Sequence, residues 1–357
     1  MSHSYDIVAA LFRRISHKER AFVSRQLAVM LQSGLPISQA VRSLSEQTSN
    51  PTLKEVLEEV LADLENGYKF SAAIKKHPKV FNQVFVSVVS AGEATGKIDI
   101  AMNLLADELE RDQSFRSRVV GALLYPAFIV AAMIVVGILM VTRIVPALEL
   151  VFQESNVPLP LSTRIVVGVT NSLINYWFVY VAVIALAVVL FSRYYSHEEG
   201  RRNVNALMLK LPVFGTLIRN LEMARFTRIL GMMMEAGVPI IQALDAVSLV
   251  IDNVVYREAM TAVARNVERG APISQSLVRN PIFPSIINQM VAVGEQTGRL
   301  EQVLHKLADY YEEETNQSIK NITALTEPVI FVVVGLGVAF LVFSIIVPIY
   351  NLASVIQ

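Results

Sequence analysis

The pattern in this sequence that comes nearest to a ligand-binding motif is Gly92-Glu-Ala-Thr-Gly96-Lys97, which has the outline of a phosphate loop. A Walker loop needs four residues between its glycines and a Ser or Thr after its lysine. Here three residues separate the glycines, Ile98 follows the lysine, and a second copy has Arg299 at the lysine position. No strand pattern precedes either copy. The motif therefore favours a turn between helices, in which Gly96 adopts a positive φ.

Other groups that could do chemistry are scattered. No histidine belongs to a His-x-x-x-His pair or lies beside a nucleophile with a plausible base; the five are His3, His17, His77, His197 and His305. The chain has no cysteine, which excludes disulfides, zinc–thiolate sites, iron–sulfur clusters and thiol nucleophiles. The acidic run Glu312-Glu313-Glu314 is typical of a solvated helix face, with a divalent-ion site as the less favoured alternative. We predict no catalytic residue, cofactor or metal.

The composition points to lipid rather than to nucleic acid. Hydrophobic residues make up 53% of the chain and charged residues 17%, whereas soluble domains carry about 25% charged residues. The 31 basic residues are balanced by 31 acidic ones, so no basic excess is available to hold a phosphate backbone.

Three runs lack any charged residue for long enough to cross a bilayer. Residues 119–142, 165–192 and 328–357 contain 24, 28 and 30 residues without a charge, and a span needs about 20 helical residues. Backbone polar groups cannot stay unpaired in lipid, so these runs are predicted to be helices. Arginines flank span one before it and span two after it, and the positive-inside rule places these flanks in the cytoplasm; they are Arg111, Arg116, Arg118, Arg193, Arg201 and Arg202. The N-terminus and both large polar segments then face the cytoplasm.

The chain also repeats itself after 202 to 203 residues. Arg25 aligns with Arg228, and the match continues into the membrane, where Pro126 aligns with Pro328. The spacing of apolar residues predicts six short helices in each polar copy. Asn50 is predicted to be the N-cap of one helix, and Ser71 is a candidate cap of another short helix. The sequence therefore predicts an all-α membrane protein with two repeated cytoplasmic six-helix bundles and three transmembrane helices.

Two kinds of turn occur in both copies and are the candidate functional positions. We expect them mainly to reverse the chain, with docking of a partner as the functional alternative. Glu93 and Glu295 can each cap a neighbouring helix, pair with a basic residue or contact a partner, and we favour a bond within the bundle. The turn positions are Gly34, Pro36, Gly92, Glu93, Thr95 and Gly96 in the first copy and Gly237, Pro239, Gly294, Glu295, Thr297 and Gly298 in the second.

Spans one and three each begin beside a proline. Tyr125 precedes Pro126 and Glu327 precedes Pro328, so the two starts are not equivalent. Each proline can kink its helix. A carboxylate as close to lipid as Glu327 is a functional hypothesis by default.

The paired Gly-x-Pro turns, the paired Gly-Glu-x-Thr-Gly turns, the prolines at the two span starts and the three-span layout resemble the type II secretion system protein F family. This family includes the inner-membrane platform proteins of type IV pili. Many members carry a further segment before the first bundle, and here the chain begins within about 20 residues of that bundle.

The resemblance implies a non-catalytic platform in the bacterial inner membrane that couples a cytoplasmic assembly ATPase to polymerisation of pilin or pseudopilin subunits. Its expected partners are that ATPase, the pilins, other inner-membrane assembly proteins, membrane lipid and further copies of itself in a dimer or larger homo-oligomer, with no nucleic acid. An oligomeric transporter or channel component is the alternative, although no predicted span carries a buried charge that would mark an ion path.

The expected organisation follows from the spans and the resemblance. It comprises a cytoplasmic bundle at 1–118, span one at 119–142, a periplasmic loop at 143–164, span two at 165–192, a cytoplasmic bundle at 193–327, span three at 328–350 and a periplasmic C-terminal tail at 351–357.

Overall fold

A computed structural model describes residues 15–139, 142–143, 146, 161–212 and 214–355. These described residues form fourteen α-helices and no strand, which confirms the predicted all-α class. The helices are α1 His17–Gln32, α2 Ile37–Gln47, α3 Pro51–Glu65, α4 Phe70–Lys75, α5 Gln83–Thr95, α6 Ile98–Leu139, α7 Leu161–Ser196, α8 Glu198–Lys210, α9 Phe214–Glu235, α10 Ile240–Val250, α11 Val254–Glu268, α12 Ile273–Val278, α13 Ser285–Thr297 and α14 Leu300–Val355.

The described chain divides into two compact units. The polar unit consists of the chain up to Arg118 together with Asn205–Gln317, so it contains the helices of both repeats. The apolar unit consists of Val119–Val204 and Ser318–Gln357. Each is described by itself below.

Helix starts in the polar unit follow from short-range capping. Ser16 and Glu19 form a reciprocal capping box at the start of α1, with Ser16 N donating to Glu19 Oε2 at 2.7 Å. Asn50 caps α3 as predicted, because its Oδ1 accepts the amides of Thr52 and Leu53 at 3.1 and 3.3 Å. Asn253 caps α11 in the same way in the second repeat.

Both repeats contribute to one buried apolar core in the polar unit. Its largest fully buried side chains include Phe70 from the first repeat and Tyr256 and Phe226 from the second. The repeats also meet directly, because α10 and α9 of the second repeat pack against α5 of the first. The two bundles therefore share one hydrophobic interior.

The apolar unit is built from long helices. Three stretches, Ile98–Leu139, Ile174–Ser196 and Leu300–Ala339, contain 18-residue windows with mean hydropathies of 2.6, 2.3 and 2.0. Each is long and apolar enough to cross a membrane. Large apolar side chains along them are exposed, as expected where lipid is the solvent; they include Leu124, Phe128, Trp177 and Leu336.

Several helix limits differ from the sequence prediction. Residues 161–164 and 351–355, predicted as parts of the loop and the tail, lie within helices α7 and α14. Tyr176, at φ −117° and ψ 19°, interrupts α7. Helix α8 was not predicted, and α9 begins at Phe214 rather than near Asn220. The rest of the predicted loop, apart from residues 143 and 146, lies outside the described residues.

Candidate functional site

The two Gly-x-Pro turns end one helix and begin the next in each repeat. Gly34 and Gly237 have φ values of 81° and 80°, the left-handed region that favours glycine. The amide that follows each glycine bonds back across the turn, with Val238 N donating to Met233 O at 2.9 Å. This is a Schellman closure of the preceding helix. Pro36 and Pro239 then occupy the N-cap positions of α2 and α10.

The two glycines of each Gly-Glu-x-Thr-Gly motif have different roles. Gly96 and Gly298 end α5 and α13 at φ 70° and 67°. Gly92 and Gly294 lie inside those helices, where the next helix passes very close. A Cβ on Gly92 would lie 2.6 Å from Ala101 Cβ, and one on Gly294 would lie 2.9 Å from Leu300 Cα.

The threonines complete the helix ends locally. The Oγ1 of Thr95 donates to Ala91 O at 2.9 Å, and that of Thr297 donates to Val293 O at 2.7 Å. Both bonds stay within the threonine's own helix, and both threonines are exposed. They are therefore minor contributors to the turn.

The motif glutamates reach across each bundle to cap a short helix. Glu93 Oε1 accepts Phe70 N at 2.7 Å, and its Oε2 accepts Ser71 N at 3.2 Å and the Ser71 hydroxyl. Glu295 does the same for α12, accepting Ile273 N at 2.6 Å and Ser274 N at 3.1 Å. A carboxylate at a helix N-terminus satisfies unpaired amides and opposes the positive end of the helix dipole. Ser71, expected to cap α4 itself, lies inside the helix and donates to Glu93 instead.

We expect Glu93→Gln to lower the free energy of unfolding by about 1–2 kcal/mol, because a neutral amide replaces a charged acceptor of two helix amides. Glu295→Gln should have a similar effect, and the double variant should lose about the sum because the caps lie in different repeats. Urea unfolding of the detergent-purified protein, followed by circular dichroism, measures the change. Thr95→Ala is the matched control and should change stability by less than about 0.5 kcal/mol. Equal losses for Glu93→Gln and Thr95→Ala would contradict the capping role.

Each repeat also contains an arginine held by acids from its last helix. Arg25 binds Glu110 through Nε and Nη2, both at 2.7 Å, and also binds Asp107 and Asn103. These bonds hold the pKa of Glu110 below its usual range, despite some opposing desolvation.

The second repeat reproduces this cluster in a more buried setting. Arg228 binds Glu312 through Nε at 2.9 Å and Asp309 through Nη2 at 2.8 Å. Its side chain is 9% exposed, against 25% for Arg25. Each arginine therefore ties the first helix of its repeat, α1 or α9, to the helix that continues into a span, α6 or α14.

A charged cleft of about 780 Å³ lies between these clusters within the polar unit. Arg111 of the first repeat lies 3.7 Å from Glu312 of the second, Nη1 to Oε2. Glu108 is half-buried in the cleft. Desolvation raises the pKa of Glu108 to about 7; Glu312 and Asp112 act in the same direction, while the cations Arg228 and Arg111 oppose it.

Glu108→Gln is expected to change how stability depends on pH. The folded pKa of Glu108 is about 7 and the unfolded value is about 4.3, so the folded protein binds the extra proton between these values. Stability from this group is therefore present at low pH and lost as the pH rises to about 7. The glutamine variant should be more stable than the parent above that pH by about 1–3 kcal/mol and equal to it near pH 4.

Urea midpoints measured from about pH 4 to pH 8 test this difference. Glu110→Gln is the control of opposite sign, because the pKa of Glu110 is lowered and its contribution is lost as the pH falls. Parallel pH profiles for the parent and Glu108→Gln would contradict the assignment.

Only some of the candidate turn and membrane-entry positions lie close to one another in the structure. Thr95 lines a second cleft, of about 600 Å³, with Gly237 and Pro239 of the other repeat. Gly34 and Pro36 of the first repeat are exposed and do not line it. Tyr125, Pro126, Glu327 and Pro328 belong to the apolar unit, where all four are on the unbroken helices α6 and α14.

The charged cleft is not predicted by the sequence patterns described above. Identity at the repeat spacing was the available signal, since Arg25, Asp107 and Glu110 align with Arg228, Asp309 and Glu312. No sequence feature showed that the two sets would face each other.

One group of metal-ligand type occurs in the described residues, formed by Glu235, Glu301 and His305 with ligand atoms within 4.8 Å of one another. His305 Nε2 lies 3.0 Å from Glu235 Oε2. Glu312, from the acidic run considered above, is instead bonded to Arg228.

Comparison with known proteins gives the same doubled arrangement. The family described as "Type II secretion system (T2SS), protein F" matches residues 23–146 and again residues 226–348. The type IV pilus assembly protein PilC of Thermus thermophilus is 35% identical over 354 residues, covering 98% of this chain and 86% of that protein. PilC of Myxococcus xanthus is 34% identical over 352 residues, covering 99% and 84%.

A secretion protein is similar over the same length. The type II secretion system protein F of Aeromonas hydrophila is 30% identical over 350 residues, covering 97% of this chain and 90% of that protein. The doubled family match coincides with the duplicated turns, caps and arginine clusters. The chain belongs to the type II secretion system protein F family.

Proposed function

We propose that this protein is a non-catalytic platform of the bacterial inner membrane that couples a cytoplasmic assembly ATPase to polymerisation of pilin or pseudopilin subunits, in type IV pilus biogenesis or type II secretion. Similarity over nearly the whole chain to proteins named for pilus assembly and for secretion supports the role in assembly. The coupling to an assembly ATPase, and the ATPase and pilin subunits as partners, are the part of the proposal that goes beyond this similarity.

The continuity of two long helices supports the proposed coupling. Helices α6 and α14, of 42 and 56 residues, each run from the polar unit into a span-length apolar stretch without ending. An α-helix held by its internal hydrogen bonds transmits displacement along its axis. A force applied to the polar unit would therefore reach the spans directly.

The contacts inside the polar unit favour movement of both bundles together. Arg25 and Arg228 fasten the first helix of each repeat to α6 and α14. Arg111 and Glu312 join the repeats, and α5 packs against α10. In this proposal the ATPase binds the polar unit, and the spans guide pilin subunits out of the bilayer. The transmitted change is conformational, with no bond chemistry.

The proposed topology places both bundles and the N-terminus in the cytoplasm. The loop at 143–164 and the C-terminal tail lie in the periplasm, and the predicted span limits stand as part of the proposal. Reporter fusions near residues 60 and 260 should both report the cytoplasm. Opposite locations would overturn the scheme, because the two repeats would then act in different compartments.

Two measurements test the function. The tagged protein should co-purify with the assembly ATPase encoded in the same cells, and deletion of its gene should abolish surface filaments or secretion by the system. Restoration by the parent gene is the required control. Normal filaments and normal secretion after deletion, in cells with no second copy of the gene, would contradict the proposed role.

A further inference from the structure

Two glutamates and a histidine of the second repeat meet where α9 ends and α14 begins. Glu235 is the last residue of α9, and Glu301 and His305 lie one turn apart on the same side of α14. One ligand atom from each of the three lies within 4.8 Å of the other two. In the part of the chain that the structure describes, no other three side chains of this kind come so close together.

The imidazole ring of His305 lies against the backbone of α9. Gly231, one turn before Glu235, makes this possible, because a Cβ at Gly231 would lie 3.5 Å from His305 Cε1. The Nε2 atom of His305 is shielded from solvent and forms no hydrogen bond with the described residues, although it lies 3.0 Å from Glu235 Oε2. A shielded imidazole nitrogen beside carboxylate oxygens is an arrangement that suits a metal ion.

The charges at this point favour a bound cation. Glu235 places a carboxylate at the C-terminal end of α9, where the helix dipole disfavours negative charge. Glu301 lies in the first turn of α14, where the dipole favours a carboxylate, but it brings a second negative charge close to Glu235. A dication would balance both carboxylates while the imidazole of His305 stays neutral.

The first repeat shows that the fold does not require these side chains. The aligned positions there hold Gln32, Asp99 and Asn103, with one acid and no imidazole. Asp99 keeps an acid in the first turn of α6, so the helix dipole accounts for Glu301 by itself. It does not account for the acid that replaces Gln32 or the histidine that replaces Asn103. The second repeat therefore adds two potential ligands where the first repeat folds without them.

We propose that Glu235, Glu301 and His305 bind one divalent transition-metal ion of the zinc type, with water completing the coordination. Zinc accepts carboxylate and imidazole ligands in sites with three protein ligands and one open position, whereas calcium and magnesium take oxygen ligands. Ligand atoms on one tetrahedral zinc ion lie about 3.4 Å apart, so small rotations of the glutamate side chains would close the site. The ion would fasten α9 to α14 about two turns from Arg228, which joins the same two helices.

Zinc titration of the detergent-purified full chain tests the proposal. The protein is purified without a polyhistidine tag, stripped with EDTA and titrated with zinc chloride in the presence of millimolar calcium and magnesium. Isothermal titration calorimetry should give one zinc site per chain. X-ray absorption at the zinc edge should show one imidazole nitrogen together with oxygen neighbours at about 2.0–2.2 Å.

Two variants carry the residues of the first repeat, so the helix pair should keep its fold, which circular dichroism checks. His305→Asn and Glu235→Gln are each expected to weaken zinc binding by more than about a hundredfold, since loss of an outer-shell partner alone costs up to that factor. His77→Asn is the matched control and should leave the zinc affinity unchanged. His77 Nε2 lies 3.6 Å from a carboxylate oxygen of Glu59, and the described residues place no second carboxylate with this pair.

The proposal is overturned if the parent protein has no saturable zinc site, or if His305→Asn binds zinc as tightly as the parent does. Displacement of the zinc by equimolar calcium or magnesium would also overturn it, because the site would then be one of oxygen ligands. A parent protein that melts at the same temperature with EDTA and with zinc, but is destabilised by His305→Asn, would show an ion pair only.

Discussion

Replacing Arg228 with methionine is expected to lower the free energy of unfolding of the polar unit by about 2–3 kcal/mol, because its charge-assisted hydrogen bonds are lost. The side chain is 9% exposed and serves both Asp309 and Glu312. Without the guanidinium, Asp309 and Glu312, which are 58% and 38% exposed, lose their shared cation and rely on water for the missing hydrogen bonds. The nearby Glu108 and the Arg111 contact with Glu312 should also be disturbed.

The first repeat supplies the control. Arg25→Met removes the same kind of triad, but Arg25 is 25% exposed against 9% for Arg228, so water replaces more of the lost contact. We expect it to lose about 1–2 kcal/mol. Urea unfolding in detergent is best followed by circular dichroism, because the one tryptophan, Trp177, lies in the apolar unit.

A double-mutant cycle separates the arginine from its partner. If the loss comes from Glu312 left without its cation, Glu312→Gln should recover part of the stability lost in Arg228→Met. Equal losses for Arg25→Met and Arg228→Met, or strictly additive effects of Arg228→Met and Glu312→Gln, would refute this account.

Gly92→Val and Gly294→Val are each expected to destabilise the polar unit by about 3 kcal/mol or more. A Cβ at Gly92 would overlap Ala101 and approach the backbone at Ile98, and one at Gly294 would approach the Leu300 backbone at 2.9 Å. Backbone atoms cannot rotate away as the end of a flexible side chain can. The pairs α5–α6 and α13–α14 would have to separate, which would also draw Glu93 and Glu295 away from the helices that they cap.

Gly121→Val is the matched control, because a Cβ there meets no heavy atom within 4 Å. Its effect should be limited to the difference in helix propensity, which slightly favours valine over glycine and is well below about 1 kcal/mol. Thermal unfolding of the three variants in one detergent gives the comparison. A Gly92→Val protein as stable as Gly121→Val would show that the helices do not approach as closely as described.

Features that depend on local chemistry could be predicted from the order of the residues. Charge-free runs specify span-length helices, because a helix is the simplest way to pair backbone groups in lipid. Asn50 followed by Pro51 specifies a helix start, and a glycine such as Gly96 or Gly298 specifies a left-handed end. The repeat could also be recognised from the sequence, because residues that align at a constant spacing can be identified without a structure.

Contacts between groups far apart in sequence could not be predicted, because they depend on how the helices pack. Glu93 had three possible roles, and packing of α5 beside α4 selected helix capping because it places the carboxylate at two free amides. The different surroundings of the two Gly-x-Pro turns could not be predicted for a related reason. Like sequences offer like surfaces, and only packing of the whole chain shows that the Gly237 turn lines a cleft beside α5 while the Gly34 turn does not. The raised pKa of Glu108 likewise depends on charges from both repeats, which lie far apart in sequence.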